Sequence, residues 1–345
     1  MVFENNTPFP AIAWENVDAS NHWYIATVAR VKYLFDTVDN KGILCLKLDP
    51  SQGELFGEDV FYGTVGQSSV RYESDFVTYK PVTDIIVNAK AYLPSYATET
   101  QCQVEVFNAT KQVLRSVSIH VKSPYEKSNE PRHIALRYED AYGGGYATPR
   151  EDDPYDYCTV DEYNPIGVGK HDKNTPKEKK REPLIEFVEE RFRQEPYPAG
   201  FGIINRAWKS RLDFAGTYDD DWLKTQHPLP PYDFNYKYNQ AANPALQLNG
   251  YLDIHSYIKL TNLTGAKKTL QFRIPDVILF NEQHTNNTQR KVQNMPIDTV
   301  LIDIEDEDKT QWAVYISYRN FLKKEDGYKS VSCHFLTKEL LKEEA

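Results

Sequence analysis

Apolar side chains recur at every second position through much of the first and last thirds of the chain. Between residues 24 and 35 they fall at Ile25, Ala29, Val31, Tyr33 and Phe35. Val104 and Val106 alternate with Gln103 and Glu105, and Val117, Ile119 and Val121 alternate with Ser118, His120 and Lys122. Residues 43–48 form a shorter run, and residues 83–93 a longer one closed by Pro94. After Gly250 the pattern returns at Leu270, Phe272 and Ile274, at Val300, Ile302 and Ile304, and at Trp312, Val314, Ile316 and Tyr318. A period of two puts successive side chains on opposite faces, so these segments predict strands with one face buried and the other wet.

The middle of the chain reads differently. From Pro124 to Pro198 it is polar and broken by proline and glycine, with Gly143-Gly144-Gly145, Asp152-Asp153-Pro154-Tyr155 and Asn164-Pro165-Ile166-Gly167-Val168-Gly169. Residues 170–181 hold Lys170, Lys173, Lys177, Lys179, Lys180 and Arg181 with no apolar side chain, which predicts an exposed loop. Leu184, Phe187, Val188 and Phe192 stand at helical spacing and predict a helix of about two turns, crowded by Pro183 and Pro196. A second short helix is predicted over residues 336–343. Residues 199–238 read as ordered loops.

Strands at both ends with loops between predict a mainly β fold: two packed antiparallel β-sandwich-like domains with long ordered loops and few short helices. The 345 residues fit about two domains. We place an N-terminal β domain at 1–125. A C-terminal β domain follows at 126–345, with a loop-rich insertion over about 140–245.

Composition narrows the function. The 24 Tyr, 16 Phe and 5 Trp against 2 Met suit pleated surfaces. A net charge of −10 disfavours a phosphate-backbone binder, so no nucleic-acid partner is expected. No apolar run reaches the length of a membrane span, and residues 1–6 lack the basic and apolar stretches of a secretory leader, so we expect a cytoplasmic protein without membrane insertion. Cys45, Cys102, Cys158 and Cys333 are too far apart in sequence for a metal knuckle or redox pair.

Catalytic patterns do not emerge. The glycines at 143–145 and at 167 and 169 lack the helix start that a phosphate cradle needs, and read as tight turns. Three consecutive aspartates, Asp219-Asp220-Asp221, cannot all face one ion, and Asp219 reads as support for the turn after Gly216-Thr217-Tyr218. The eight histidines form no metal-binding spacing, and no Gly-X-Ser-X-Gly elbow occurs. No cofactor and no metal are expected. The anomaly is the surplus of aromatics and prolines between Trp208 and Tyr238. It reads either as a recognition surface or as a satellite core pinning long loops.

Taken in order, a series of residues resembles a known family. It runs through Ser74-Asp75-Phe76-Val77, Lys80-Pro81-Val82-Thr83-Asp84, Arg137-Tyr138, Ala141-Tyr142-Gly143-Gly144 and Asn164-Pro165-Ile166-Gly167. It continues with Pro198-Ala199-Gly200-Phe201-Gly202, Trp208 with Arg211, Gly216-Thr217-Tyr218-Asp219 with Trp222, and Pro230-Pro231-Tyr232-Asp233-Phe234. Downstream, Phe272-Arg273-Ile274-Pro275 and Ile297-Asp298-Thr299-Val300 also fit. The series resembles a bacterial family of domains of unknown function encoded in type VI secretion loci, beside spike proteins, PAAR-like tip proteins and toxic effectors. Departures are Asn235, where a third acidic residue is common, and Tyr318-Arg319, where a Trp-Arg pair is usual.

The resemblance implies a non-enzymatic effector adaptor or chaperone that helps load an effector on the spike. Its partners would be a type VI effector protein, a PAAR-like tip or a spike protein. The partner-binding residues it implies are Tyr142, Gly143, Gly144, Phe201, Trp208, Arg211, Tyr218, Asp219, Trp222, Asp233 and Phe234. The competing expectations are a carbohydrate-binding β-sandwich and a hydrolase using carboxylates such as Asp219 and Asp233.

Overall fold

The structure, a computed structural model, describes the chain except residues 1, 41, 126, 148–157, 266, 286–289, 325–327 and 338–345. The fold is mainly β. Its largest unit is an 11-stranded sheet. Across it the order is Ile185–Phe187, Val113–Lys122, Glu99–Phe107, Tyr257–Thr264, Lys267–Arg273, Leu44–Leu48, Trp23–Val38, Ala313–Lys323, Ile297–Asp303 and Asp84–Asn88. Ala11–Val17 pairs with the first half of Trp23–Val38. A four-stranded sheet of Val2–Asn5, Tyr328–Thr337, Val277–Thr285 and Arg290–Met295 adds Val277, Leu279, Met295 and Cys333 to the same core. The Tyr318 hydroxyl, from the large sheet, donates to the Val277 carbonyl at 3.2 Å.

The alternating segments form the strands they predict. Trp23–Val38 is central, and residues 25–31 are buried on both faces. One face carries Ile25, which packs with Ala13 and Val331; the other carries Arg30. Most neighbours are antiparallel, but Asp84–Asn88 runs parallel to Ile297–Asp303, as Val2–Asn5 does to Tyr328–Thr337. The large sheet interleaves strands from before and after residue 125, so the change of text there is no break in the sheet.

Two helix expectations need correction. In the stretch 184–192, Ile185–Phe187 is a strand, paired through Ile119↔Phe187 and Val121↔Ile185, and a single 3-10 turn follows at Val188–Glu190. Pro183 removes a backbone donor next to the start, and pairing to the sheet wins over the helical spacing. Phe192 is left outside, exposed. Leu336 belongs to the strand Tyr328–Thr337, opposite Ile278; residues 338–343 lie outside the described residues, as does Asp152-Asp153-Pro154-Tyr155. Residues 170–181 do form an exposed loop with one 3-10 turn. Among the described residues no helix is long and apolar enough to cross a membrane.

Both ends of the large sheet meet loops. At one end the Leu184 amide donates to the Asp140 carbonyl at 2.8 Å, and Ala141 bridges to Ile185. At the other, the Val87 amide donates to the Phe201 carbonyl at 2.8 Å and the Leu248 amide to the Thr83 carbonyl at 3.0 Å. The Asp84 carboxylate accepts from the Ala241 amide and the Gln240 side chain, each at 2.7 Å.

Candidate functional site

The loops that follow residue 137 assemble around Tyr138. Its ring is buried, stands edge-on to Trp208 with centroids 5.3 Å apart, and its hydroxyl donates to the Gly202 carbonyl at 3.3 Å. A Cβ on Gly200 would lie 2.8 Å from that ring, so only glycine lets the chain pass there. Asn164, fully buried, donates from Nδ2 to the Tyr138 carbonyl at 2.8 Å and the Tyr142 carbonyl at 2.9 Å. Gly144 has φ +77°, and a Cβ on it would sit 2.2 Å from the Gly167 carbonyl oxygen. The two glycine motifs interlock in one knot: Tyr142–Gly143 pairs in parallel with Val168–Gly169 and Gly145–Ala147 pairs with Cys158–Val160. A tight turn forms at Asn164–Gly167, where the Gly167 amide donates to the Asn164 carbonyl at 3.2 Å, but Gly143, Gly145 and Gly169 lie in short strands and not in the turns expected of them.

Beneath the loops lies a buried network of charges. Arg211 donates to the Tyr238 carbonyl at 2.8 Å and the Ile204 carbonyl at 3.1 Å, and its Nη1 lies 2.6 Å from Glu73. Glu73 also meets Arg206 at 3.3 Å and Lys80 at 3.7 Å. Lys80 donates to Asp84 at 2.9 Å and to the Thr299 hydroxyl at 3.1 Å. Beside them Arg30 pairs with Asp75 and Arg319 with Asp298. Burial pushes the Glu73 carboxyl up, but the charges of Arg211, Lys80 and Arg206 override it and hold it below the ordinary carboxylate range. The cavity among these groups is about 30 Å³, the space of one water molecule. It has no room for a substrate. The network fastens loops 54–80 and 204–240 to the sheet.

The stretch 212–238 has two sides. Inward, Phe234 packs edge-on to Tyr236 at 5.3 Å, Tyr236 meets Phe321 at 5.5 Å, and Phe321 stacks on Tyr24 at 4.3 Å. This ladder ties the loop to the strands Trp23–Val38 and Ala313–Lys323. Outward, Leu212, Tyr218, Leu223 and Tyr232 are 48%, 58%, 58% and 76% exposed. Tyr218 rests on Trp222 at 4.7 Å, and the Trp222 indole donates to the Leu229 carbonyl at 2.9 Å. Asp219 caps the helix Asp220–Thr225 by accepting from the Trp222 amide at 2.8 Å. Asp233 accepts from the Thr217 amide at 3.0 Å and its hydroxyl at 2.7 Å, and these bonds hold its carboxyl below the ordinary range. Asp213, Asp220 and Asp221, all exposed, rim the patch. The satellite-core reading thus holds for the inward side, and the outward side leaves aromatic and leucine side chains in solvent.

The residues expected to bind a partner separate accordingly. Tyr142, Gly143, Gly144, Phe201, Trp208 and Arg211 are buried parts of the knot and the network. Tyr218, Asp219 and Asp233 are exposed, with Trp222 and Phe234 half-buried behind them. Sequence reasoning missed Glu73, Arg206 and the outward Leu212 and Leu223; Asn164 stands in the Asn164-Pro165-Ile166-Gly167 motif, but its role in holding two carbonyls was not foreseen. Among the described residues a Ser–His–carboxylate cluster occurs at Ser332, His334 and Glu282. Ser332 Oγ and Glu282 Oε2 both approach His334 Nε2, at 2.8 and 3.8 Å, and Ser332 is buried. A triad needs its acid on the other ring nitrogen, so this is not one. Among the described residues no three His, Cys, Asp or Glu side chains are grouped to hold a metal.

Residues 21–314 match the family model DUF2169, described as an uncharacterized protein conserved in bacteria. The chain belongs to the DUF2169 family. No match was found among curated proteins or among solved structures. The DUF2169 match spans the glycine knot, the outward face of 212–232 and most of the charged network. Arg319 and the Phe321 anchor lie past its end.

Proposed function

We propose that this DUF2169 chain is a cytoplasmic, non-enzymatic adaptor that binds a type VI secretion effector, through a PAAR-like or toxin-linked segment, and helps load it on the spike. The observation that carries the binding role is the outward face of residues 212–232. Leu212, Tyr218, Leu223 and Tyr232 stand in solvent on loops fastened from behind by the aromatic ladder and the ion network. Rigid aromatics supply contact area at little entropic cost, and binding residues gather on loops held by a scaffold. The face would form the centre of an interface of roughly 800 Å² on this side. The acidic rim suits a cargo segment that is apolar with basic flanks. The secretion context is supported by the ordered residue series described above.

Affinity purification of the tagged chain from bacteria with a firing secretion system, followed by mass spectrometry, tests the reading. Stoichiometric recovery of a PAAR-tipped or spike-linked toxin, lost in Tyr218→Ala/Tyr232→Ala, is the expected result. Recovery of the chain alone from such cells refutes the adaptor. Unchanged cargo in the folded double variant refutes this face.

A further inference from the structure

Beside the glycine knot, against the helix Lys209–Leu212, lies a groove of about 450 Å³. That is within the range of sites that enclose a ligand or a short peptide segment. Its apolar walls are Tyr142, Tyr163, Tyr197, Pro196 and Pro198. Three of the motif blocks converge to build it: the Tyr142–Gly143 strand, the turn 161–164 and the turn 196–198. Each is fixed. Asn164 holds the Tyr142 carbonyl, Asp161 accepts from the Tyr163 and Asn164 amides at 3.0 Å, and the Tyr197 hydroxyl meets Ser210 at 2.5 Å. Tyr163 and Tyr197 stand edge to face at 5.5 Å, so their rings form a rigid corner.

The charges around this corner are unequal. Lys170 pairs with Asp161 at 3.2 Å, Lys209 with Glu162 at 3.1 Å, and Arg193 with Glu190 at 2.8 Å. Glu195 also lines the groove and has no ion-pair partner among the described residues. Aromatic faces set beside prolines, with a spare carboxylate at the side, match one ligand chemistry. A polyproline II segment offers flat pyrrolidine rings to aromatic faces and unbonded backbone carbonyls to tyrosine hydroxyls. It also loses little entropy on binding. A basic residue next to the prolines would answer Glu195.

We propose that this groove binds an extended, proline-rich peptide segment carrying a basic residue. The site shares no lining residue with the 212–232 face and does not depend on the adaptor reading, since a free peptide reports on it without any secretion partner.

Fluorescence anisotropy with a labelled peptide of about twelve residues, repeating Pro-X-X-Pro and ending in arginine, tests it. Saturable binding is expected. Tyr163→Ala weakens it by about tenfold or more, as loss of an aromatic anchor does. Glu195→Gln weakens it by about threefold, as loss of an exposed charge pair does. Tyr163→Phe keeps the ring corner and serves if the alanine variant does not fold; it is expected to weaken binding without lowering the melting temperature. Glu195→Lys is expected to reverse the preference, favouring a peptide with glutamate in place of arginine. The proposal is overturned by absent saturation at millimolar peptide, by equal affinity for a peptide with glycine replacing proline, or by an unreversed preference in Glu195→Lys. Displacement of the peptide by a neutral oligosaccharide at lower concentration overturns it as well.

Discussion

Arg211→Met probes the buried network directly, because methionine keeps much of the packing and removes the charge. The structure fixes the size of the effect. Arg211 is 2% exposed, donates to two loop carbonyls and makes the closest of the three cationic contacts to Glu73. Without it, Glu73 keeps only Arg206 at 3.3 Å and Lys80 at 3.7 Å, and the Tyr238 and Ile204 carbonyls lose a charged donor. Breaking one side of a buried pair costs about 3–5 kcal/mol, a large part of a typical folding free energy of about 5–15 kcal/mol. Urea denaturation followed by circular dichroism measures the loss. In Glu73→Gln/Arg211→Met the two effects should fall short of their sum by about 1 kcal/mol or more, since the residues share one contact. The pH dependence gives a second readout. A carboxyl held below its unfolded value of 4.5 contributes stability that is present above that value and lost as the pH falls through its folded value. The parent chain should therefore lose stability below about pH 4.5 more steeply than Glu73→Gln does. A cost below about 1 kcal/mol for Arg211→Met, or strict additivity in the double variant, would refute the network as the fastening of these loops.

Three other outcomes are expected. Gly144→Ala forces a Cβ against the Gly167 carbonyl at a positive φ, and should cost more than about 1 kcal/mol in thermal or chemical melts. Phe321→Ala removes the hub of the aromatic ladder; at about 2–3 kcal/mol it should speed amide exchange in residues 234–238 before it affects Tyr257–Thr264. A thiol reagent should modify Cys45 and Cys158 in the native state, both being exposed. Cys102 and Cys333, whose thiols burial pushes up to about 12, should react only on unfolding.

The strands were legible because alternation survives wherever one sheet face meets the core and the other meets water. Of the glycine turns expected, the one at Asn164–Gly167 forms, while Gly143, Gly145 and Gly169 sit in short strands whose partners lie up to 26 residues away and leave no local signal. The helix expected over 184–192 failed because spacing alone cannot tell a two-turn helix from a short edge strand whose partner, Val113–Lys122, lies far off in sequence. The charged network was invisible for a related reason. Glu73, Lys80, Arg206 and Arg211 sit in segments more than a hundred residues apart, and each alone reads as a solvated charge. Only the resemblance singled out Arg211, and it carried no sign that the side chain points inward. The outward Leu212 and Leu223 carry a weak local signal: Leu212 stands between Arg211 and Asp213, and Leu223 between Trp222 and Lys224, on helices of four and six residues too short to bury a full apolar face.

On the proposed binding role, docking on the loops is favoured over strand addition, and three of the sheet edges give the reason. A bare edge offers a row of unpaired amides and carbonyls to any extended chain. In the large sheet, residues 140–141 meet Ile185–Phe187 at one end, and residues 201 and 247–248 meet Asp84–Asn88 at the other. One of the two edge strands of the smaller sheet, Arg290–Met295, is guarded differently. The Asn320 side chain donates to the Gln293 and Asn294 carbonyls at 3.4 and 3.2 Å, and the other half begins with Arg290 and Lys291, charges that disfavour edge pairing. The backbone segments that cap the large sheet belong to the same loops that hold Tyr138, Arg211 and the outward face of 212–232. Loosening those loops to admit a strand would therefore break the ion network that holds the outward face of 212–232 in place. A partner that docks on the finished surface meets no such cost.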